Sequence, residues 1–261
     1  LKLYDTHAHL TDKSFQECFD RVLADARAAG LVAINVIGFD AATSQAACDL
    51  AARQPHWIYA TVGIQPNSAA EAAPGDWGLI ERLVEHPQVR GIGETGLDRY
   101  WDDTPWPIQQ EYFERHIALA AARDLPLVIH MRECGDEIVD QLLPHAARGP
   151  IRGVMHSFTG DWDLCSRCLD LGLMISFAGM LTFKNSESLR EVAARVPADR
   201  LLVETDSPYL SPEPLRGRRP NEPARVAHTL RCLASARRIG AAEMAEITTA
   251  NGYRLFGIES V

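Results

Sequence analysis

The chain has 261 residues, 46% hydrophobic and 23% charged, enough to bury a sizeable core; the length fits one large domain or two small ones, and a single domain over 1–261 is expected. Its 18 Gly and 15 Pro exclude a collagen-like or low-complexity chain, and its net charge of −9 excludes a protein that coats nucleic acid through bulk positive charge. An enzyme that grips phosphate locally through metal ions stays open.

In chain order, a first strand is expected near Lys2 to Thr6. The next helix should open with Ser14 and Glu17, at capping-box spacing, and stop at Gly30. A second strand follows near Ala33 to Ile37, then a helix capped by Asp40 that ends before Pro55. Further strands are expected near Trp57 to Val62, Arg90 to Glu94, Pro126 to His130, Arg152 to His156, Leu173 to Phe177 and Leu201 to Thr205. Helical patterns separate them all, and two more helices follow Asn221. Eight strands, each followed by a helix, is the size and rhythm of a (β/α)8 TIM barrel. A doubly wound open sheet shares the alternation.

No apolar run approaches the roughly 18 residues of a membrane span. The opening LKLYDTHAHL lacks the basic and apolar segments of a signal peptide. Cys18, Cys48, Cys134 and Cys232 stand alone in helical patterns, which suits a reducing compartment. A cytoplasmic protein is therefore expected. Cys165 and Cys168 form a lone C-x-x-C in a predicted helix and read as small buried side chains rather than a zinc site.

The chemistry gathers at strand ends. His7 and His9 lie two apart at the end of the first strand, a spacing that puts both rings on one face. Glu94 in GIGETGLD, His130 in LVIHMRE, His156 in GVMHSFTG and Asp206 in LLVETDSPYL each fall where an apolar run stops. In a closed barrel the C-terminal strand ends converge on one mouth. Four imidazoles and two carboxylates there call for divalent cations, since uncompensated buried carboxylates are costly. Six ligands exceed the needs of one catalytic ion, so two ions about 3.5–4 Å apart, bridged by Glu94, fit the count.

The segments DTHAHL (5–10), GETGLD (93–98), IHMRE (129–133), MHSFTG (155–160), ETDSPYL (204–210) and TTANGYRLFG (248–257) resemble, in order, those of the TatD-like metal-dependent hydrolases, an amidohydrolase-type barrel family. The resemblance implies a two-metal phosphodiesterase, a deoxyribonuclease with 3′-to-5′ exonuclease activity. By position, His7, His9, Glu94, His130, His156 and Asp206 match the family's metal ligands. One ion would sit on His7, His9, Glu94 and Asp206, the other on Glu94, His130 and His156. Asp206 would also take the proton of the attacking water, and Glu94 would act as the bridging carboxylate. The ions would be Mg²⁺, Mn²⁺ or Zn²⁺. DNA or another phosphodiester would bind transiently, with no membrane and no obligatory protein partner.

Where the family usually carries histidine, this chain has Gln65, which can donate a hydrogen bond to phosphate but carries no charge and shuttles no proton. Related barrels often bridge their metals with a carboxylated lysine. Here lysine occurs only at Lys2, Lys13 and Lys184, none near the fourth strand. Arg132, two residues past His130, and the loop cluster Arg216, Arg218 and Arg219 are candidate phosphate contacts. Tyr100 and Trp101 can stack on a base or pack under their loop. A metal hydrolase of a small ester, lactone or amide, including an aminoacyl-ester deacylase, would use the same metal core. Gly91, Gly93 and Gly96 spell a dinucleotide motif, but LDRYWDDTPWP follows it in place of a helix. His56, His86, His116, His145 and His228 read as surface or packing residues.

Overall fold

The computed structural model describes residues 1–259. In chain order its main elements are β1 (Leu3–Ala8), α1 (Phe19–Ala28), β2 (Leu31–Ile37), α2 (Ala41–Arg53), β3 (Ile58–Val62), α3 (Asp76–Leu83), β4 (Val89–Asp98) and α4 (Trp106–Arg123). There follow β5 (Leu127–Arg132), α5 (Gly135–Ala146), β6 (Gly153–Met155), α6 (Trp162–Asp170), β7 (Met174–Phe177), α7 (Glu187–Arg195), β8 (Leu201–Val203), α8 (Val226–Arg237) and α9 (Ala241–Phe256). The strands run in the order β1 to β8 in one sheet, with parallel pairing. A parallel bridge between Ala8 and Ser207 sets the end of β1 beside the segment that follows β8. This is the (β/α)8 barrel expected from the alternation of apolar runs and helical periods.

Two compact units make up the fold. The first comprises Leu1–Val36, Ser157–Cys165 and Ile175–Val261; the second comprises Ile37–His156 and Ser166–Met174.

In the first unit every residue of β1 is buried. The Tyr4 ring packs 5.8 Å from Tyr253 and 6.0 Å from Phe256, both on α9. Gly252 makes this approach possible, because a Cβ there would lie 2.5 Å from Tyr4 Cδ1. Asn251 donates its amide to the carbonyls of Ala198 (2.8 Å) and Leu201 (2.9 Å), tying α9 to the start of β8. Packing and hydrogen bonds within the fold thus engage much of the segment TTANGYRLFG. The first helix departs from expectation. Asp12, not Ser14, acts as a cap by accepting the Ser14 N–H at 2.7 Å, and the result is a 3₁₀ turn over Lys13–Phe15. The α-helix begins only at Phe19, without a side-chain cap. A local aspartate turn outcompeted the longer-range capping box.

In the second unit Asp40 caps α2 as expected, in a reciprocal box with Thr43. β4 runs four residues beyond its expected end at Glu94, through the glycine-rich GETGLD. Pairing with β5, with Gly96 opposite His130, extends it where side-chain hydropathy gave no signal. Gly96 has φ +127°, and a Cβ there would collide with the His130 carbonyl. The glycines of the dinucleotide-like motif therefore serve strand packing, and no helix follows them. His116 of α4 is fully buried. Its Nε2 accepts the Ile64 N–H at 3.0 Å and its Nδ1 faces the Tyr112 carbonyl at 2.6 Å. Burial pushes its pKa down to about 4, against the favourable Tyr112 contact, so it packs as a neutral ring.

Candidate metal centre

In the first unit, three donors meet where β1 and β8 end. His7 is the penultimate residue of β1, and His9 lies just past it, its N–H donated to the Ser207 carbonyl at 2.7 Å. Their Nε2 atoms stand 3.2 Å apart. The Asp206 Oδ1 lies 3.6 Å from His7 Nε2 and 3.5 Å from His9 Nε2. Asp206 reaches this position from left-handed backbone, φ 53°, with its N–H donated to the His7 carbonyl at 2.9 Å. An aspartate held there stores of the order of 1 kcal/mol that the surrounding structure must offset, a pattern typical of functional positions.

The support beneath this set is Asp5, wholly buried. Its carboxylate accepts the Thr205 N–H (2.8 Å), the Thr205 hydroxyl (2.6 Å) and the His7 N–H (3.4 Å). Burial raises its pKa to about 8; the bonds from Thr205 work against that rise and nearby Glu204 adds to it. Asn221 locks the same strand end by donating to the Thr205 carbonyl at 3.0 Å.

In the second unit, Glu94, His130 and His156 form a group of donor atoms suited to a metal ion. Glu94 Oε1 lies 3.0 Å from His130 Nδ1 and 3.1 Å from His156 Nε2, and the two nitrogens are 3.5 Å apart. His130 turns its Nδ1 inward because its Nε2 donates to Asp98 Oδ2 at 2.8 Å. Asp98 is buried at the end of β4 and accepts from Asn67 Nδ2 (3.1 Å) and from the N–H groups of Tyr100 (2.8 Å) and Trp101 (3.0 Å). Burial alone would raise the Asp98 pKa, but the bonds from His130, Trp101 and Asn67 outweigh it and hold the carboxyl below its usual range. Burial likewise opposes a charged His130; its bonds to Asp98 and Glu94 prevail and raise its pKa.

The donor spacing suits small dications. At about 2.1 Å from each ligand, neighbouring donors stand about 3.0 Å apart at a right angle and about 3.4 Å at the tetrahedral angle. The six distances, 3.0 to 3.6 Å, fall about this range. Two imidazole nitrogens facing each other at 3.2 Å need a proton or a cation between their lone pairs. Each set combines two imidazoles with one carboxylate, chemistry that suits a first-row dication.

The other predicted positions are distributed as follows. Gln65, half-buried, opens the 3₁₀ turn after β3 and donates its N–H to the Phe39 carbonyl at 2.9 Å. Arg132 ends β5 with its guanidinium 3.6 Å from the Tyr100 ring centre. Arg216 lies 4.1 Å over the Phe183 ring, and Arg216, Arg218 and Arg219 are all exposed in the loop after β8. Cys165 and Cys168 are both buried, as expected. Asp98 is the residue that sequence reading missed. The usable signal was general: a metal-binding histidine hands its second nitrogen to a carboxylate or carbonyl, and an acid four residues past Glu94 was available.

Among the described residues no helix is long and apolar enough to cross a membrane. Residues 4–257 match the family model described as TatD related DNase. The chain is 39% identical, over 98% of its length and 99% of the relative's, to the metal-dependent hydrolase YabD of Bacillus subtilis (strain 168). It is 36% identical to the 3′-5′ ssDNA/RNA exonuclease TatD of Erwinia tasmaniensis, covering 98% of this chain and 100% of that one. The crystal structure of YjjV, a TatD homologue from Escherichia coli K12, superposes with a TM-score of 0.91 at 28% identity, covering 98% of each chain. With a family match across nearly its whole length and an amidohydrolase-type barrel, the chain belongs to the TatD-related DNase family of metal-dependent hydrolases.

Proposed function

We propose that this protein is a two-metal phosphodiesterase, a deoxyribonuclease that shortens single strands from the 3′ end. The observation that carries the reading is the pair of three-donor sets, each spaced for a small dication. Support for a nucleic acid substrate comes from the Erwinia relative, whose name specifies a 3′-5′ ssDNA/RNA exonuclease.

In this reading His7, His9 and Asp206 would hold one ion, and Glu94, His130 and His156 would hold the other. When bound, the ions supply positive charge at the phosphate oxygens and a water acidified toward neutral pH. Asp206 would accept the proton of an attacking water on its carboxylate as the water oxygen bonds to phosphorus, the phosphodiester P–O bond breaks and the departing oxygen takes up a proton from solvent. Asp98 keeps the His130 ring in the orientation that offers its Nδ1 inward. Gln65 donates an amide N–H to a phosphate oxygen, and Arg216, Arg218 and Arg219 neutralise the strand. The enzyme works in the cytoplasm on transiently bound DNA, a setting that fits cysteines that form no disulfide among the described residues.

Gln65 favours a second reading. A neutral amide lacks the charge and proton that a histidine would bring to a departing nucleotide, and a small ester, lactone or aminoacyl ester needs less help. Incubating the protein with Mg²⁺, Mn²⁺ or Zn²⁺ and a 5′-labelled single-stranded oligonucleotide separates the two. A metal-dependent ladder receding from the 3′ end supports the nuclease. An intact oligonucleotide, alongside turnover of an ester or lactone panel, overturns it in favour of the second reading.

A further inference from the structure

We propose that Tyr100, Trp101 and Arg132 form a seat for a substrate base, placed beside the His130 end of the metal centre by Asp98. The inference rests on the nucleic acid reading and adds to it a subsite of defined chemistry: an unpaired, uncharged nucleobase.

Tyr100 and Trp101 are 50% and 49% exposed, unusual for two adjacent large aromatic side chains. Their rings meet at 87° with centroids 4.9 Å apart, making an open corner. The Arg132 guanidinium covers the Tyr100 ring at 3.6 Å and lies 5.7 Å from that of Trp101. A planar cation and two aromatic faces are the materials from which single-strand binding proteins build base-stacking sites.

The corner is rigid. One Asp98 oxygen accepts the backbone N–H groups of both Tyr100 and Trp101, at 2.8 and 3.0 Å. Gln109 of α4 clamps the loop further on: its amide donates to the carbonyls of Asp98 (3.1 Å) and Thr104 (2.9 Å), and its Oε1 accepts the Asp98 N–H at 2.9 Å. A loop held at both ends presents its rings with little ordering still to be lost on binding.

The seat is also in register with the chemistry. Asp98 hands its other oxygen to His130 at 2.8 Å, so a single carboxylate positions both a metal-ligand candidate and the aromatic corner. Arg132 stands two residues beyond His130 on β5, about 6.6 Å along the strand, within reach of a nucleotide whose phosphate sits at His130.

Local charge selects a base over a phosphate. Asp102, Asp103 and Glu133 are exposed in the same segments, and Arg99 is engaged with Glu137 at 2.7 Å and stacked on Trp106 at 3.9 Å. This surroundings repels a second phosphate and leaves the ring faces as the available attraction.

The test is equilibrium binding of a fluorescein-labelled single-stranded oligodeoxynucleotide to the full chain in EDTA, read by anisotropy. The same strand with abasic sites at its last two 3′ positions is the comparison. Wild-type protein should prefer the base-bearing strand by about tenfold, the scale of one or two stacked bases. Y100A and W101A, each checked by circular dichroism for folded protein, should cut that preference to threefold or less. A wild-type preference near one, or a preference that survives both substitutions, overturns the seat. Wild-type protein that binds with base preference but never shortens the strand with metal added overturns the nuclease reading and leaves the seat standing.

Discussion

Asp98 receives the Nε2–H of His130 at 2.8 Å, and this single bond decides which nitrogen of the ring looks inward. The other His130 nitrogen then faces Glu94 at 3.0 Å and His156 at 3.5 Å. Replacing Asp98 with Ala removes the orienting partner and the negative charge behind the ring. Dication affinity should fall 10- to 100-fold, with Asp98→Asn intermediate because its amide oxygen still accepts the bond. Competition against a chelating dye measures this without reference to turnover, and wild-type affinity in D98A would remove Asp98 from the metal centre.

Asp206 carries two tasks in the proposed chemistry, as ligand and as proton acceptor. Asp206→Asn keeps the shape and loses the base. Hydrolysis should drop by at least about a hundredfold, while the thermal midpoint stays within a few degrees of wild type. Near-normal turnover in this variant, measured at saturating metal, would end its proposed role.

His116 gives the protein an acid-sensitive component of stability. Its folded pKa, about 4, lies below the unfolded value of 6.5, so the unfolded chain binds more protons between these two pH values. Stability from this residue is complete above pH 6.5 and declines as pH falls toward 4. The difference amounts to roughly 3 kcal/mol. Urea unfolding at pH 7 and pH 4.5 should show the loss, and His116→Gln should flatten it. An equal pH dependence in both proteins would place the acid sensitivity elsewhere.

Gly252 tests whether the C-terminal motif is structural. A Cβ at this position meets Tyr4 Cδ1 at 2.5 Å, so Gly252→Ala must push apart α9 and β1. A destabilisation of about 1–3 kcal/mol is expected from overpacking. Dication affinity should be retained in the folded fraction. Loss of metal binding without loss of stability would give the motif a direct part in the site.

The rhythm of the barrel was readable because most strands are short, apolar and followed by a helical period. The six candidate donors stood out because they stand where hydropathy changes. What stayed hidden depends on strand register. β4 continues to Asp98 through residues with little strand propensity, because β5 supplies its hydrogen bonds. Without that pairing no rule puts Asp98 against His130, or Tyr100 beneath Arg132. The start of α1 was hidden for a different reason: Ser14 and Glu17 have capping-box spacing, but Asp12 draws the Ser14 N–H into a 3₁₀ turn, and α1 then starts at Phe19 with no side-chain cap to mark it.

The bonds from Thr205 to Asp5 join residues 200 positions apart. A nascent polypeptide therefore carries its first two histidines for most of its synthesis with an aspartate whose stabilising hydroxyl has not yet been made. Loop closure over that length is entropically unfavourable but rises only logarithmically, so the late arrival of β8 is a matter of timing rather than of thermodynamic prohibition. A product cut short before Thr205 would lack this anchor and Asp206 together, so prematurely terminated chains are born without the carboxylate of the first set.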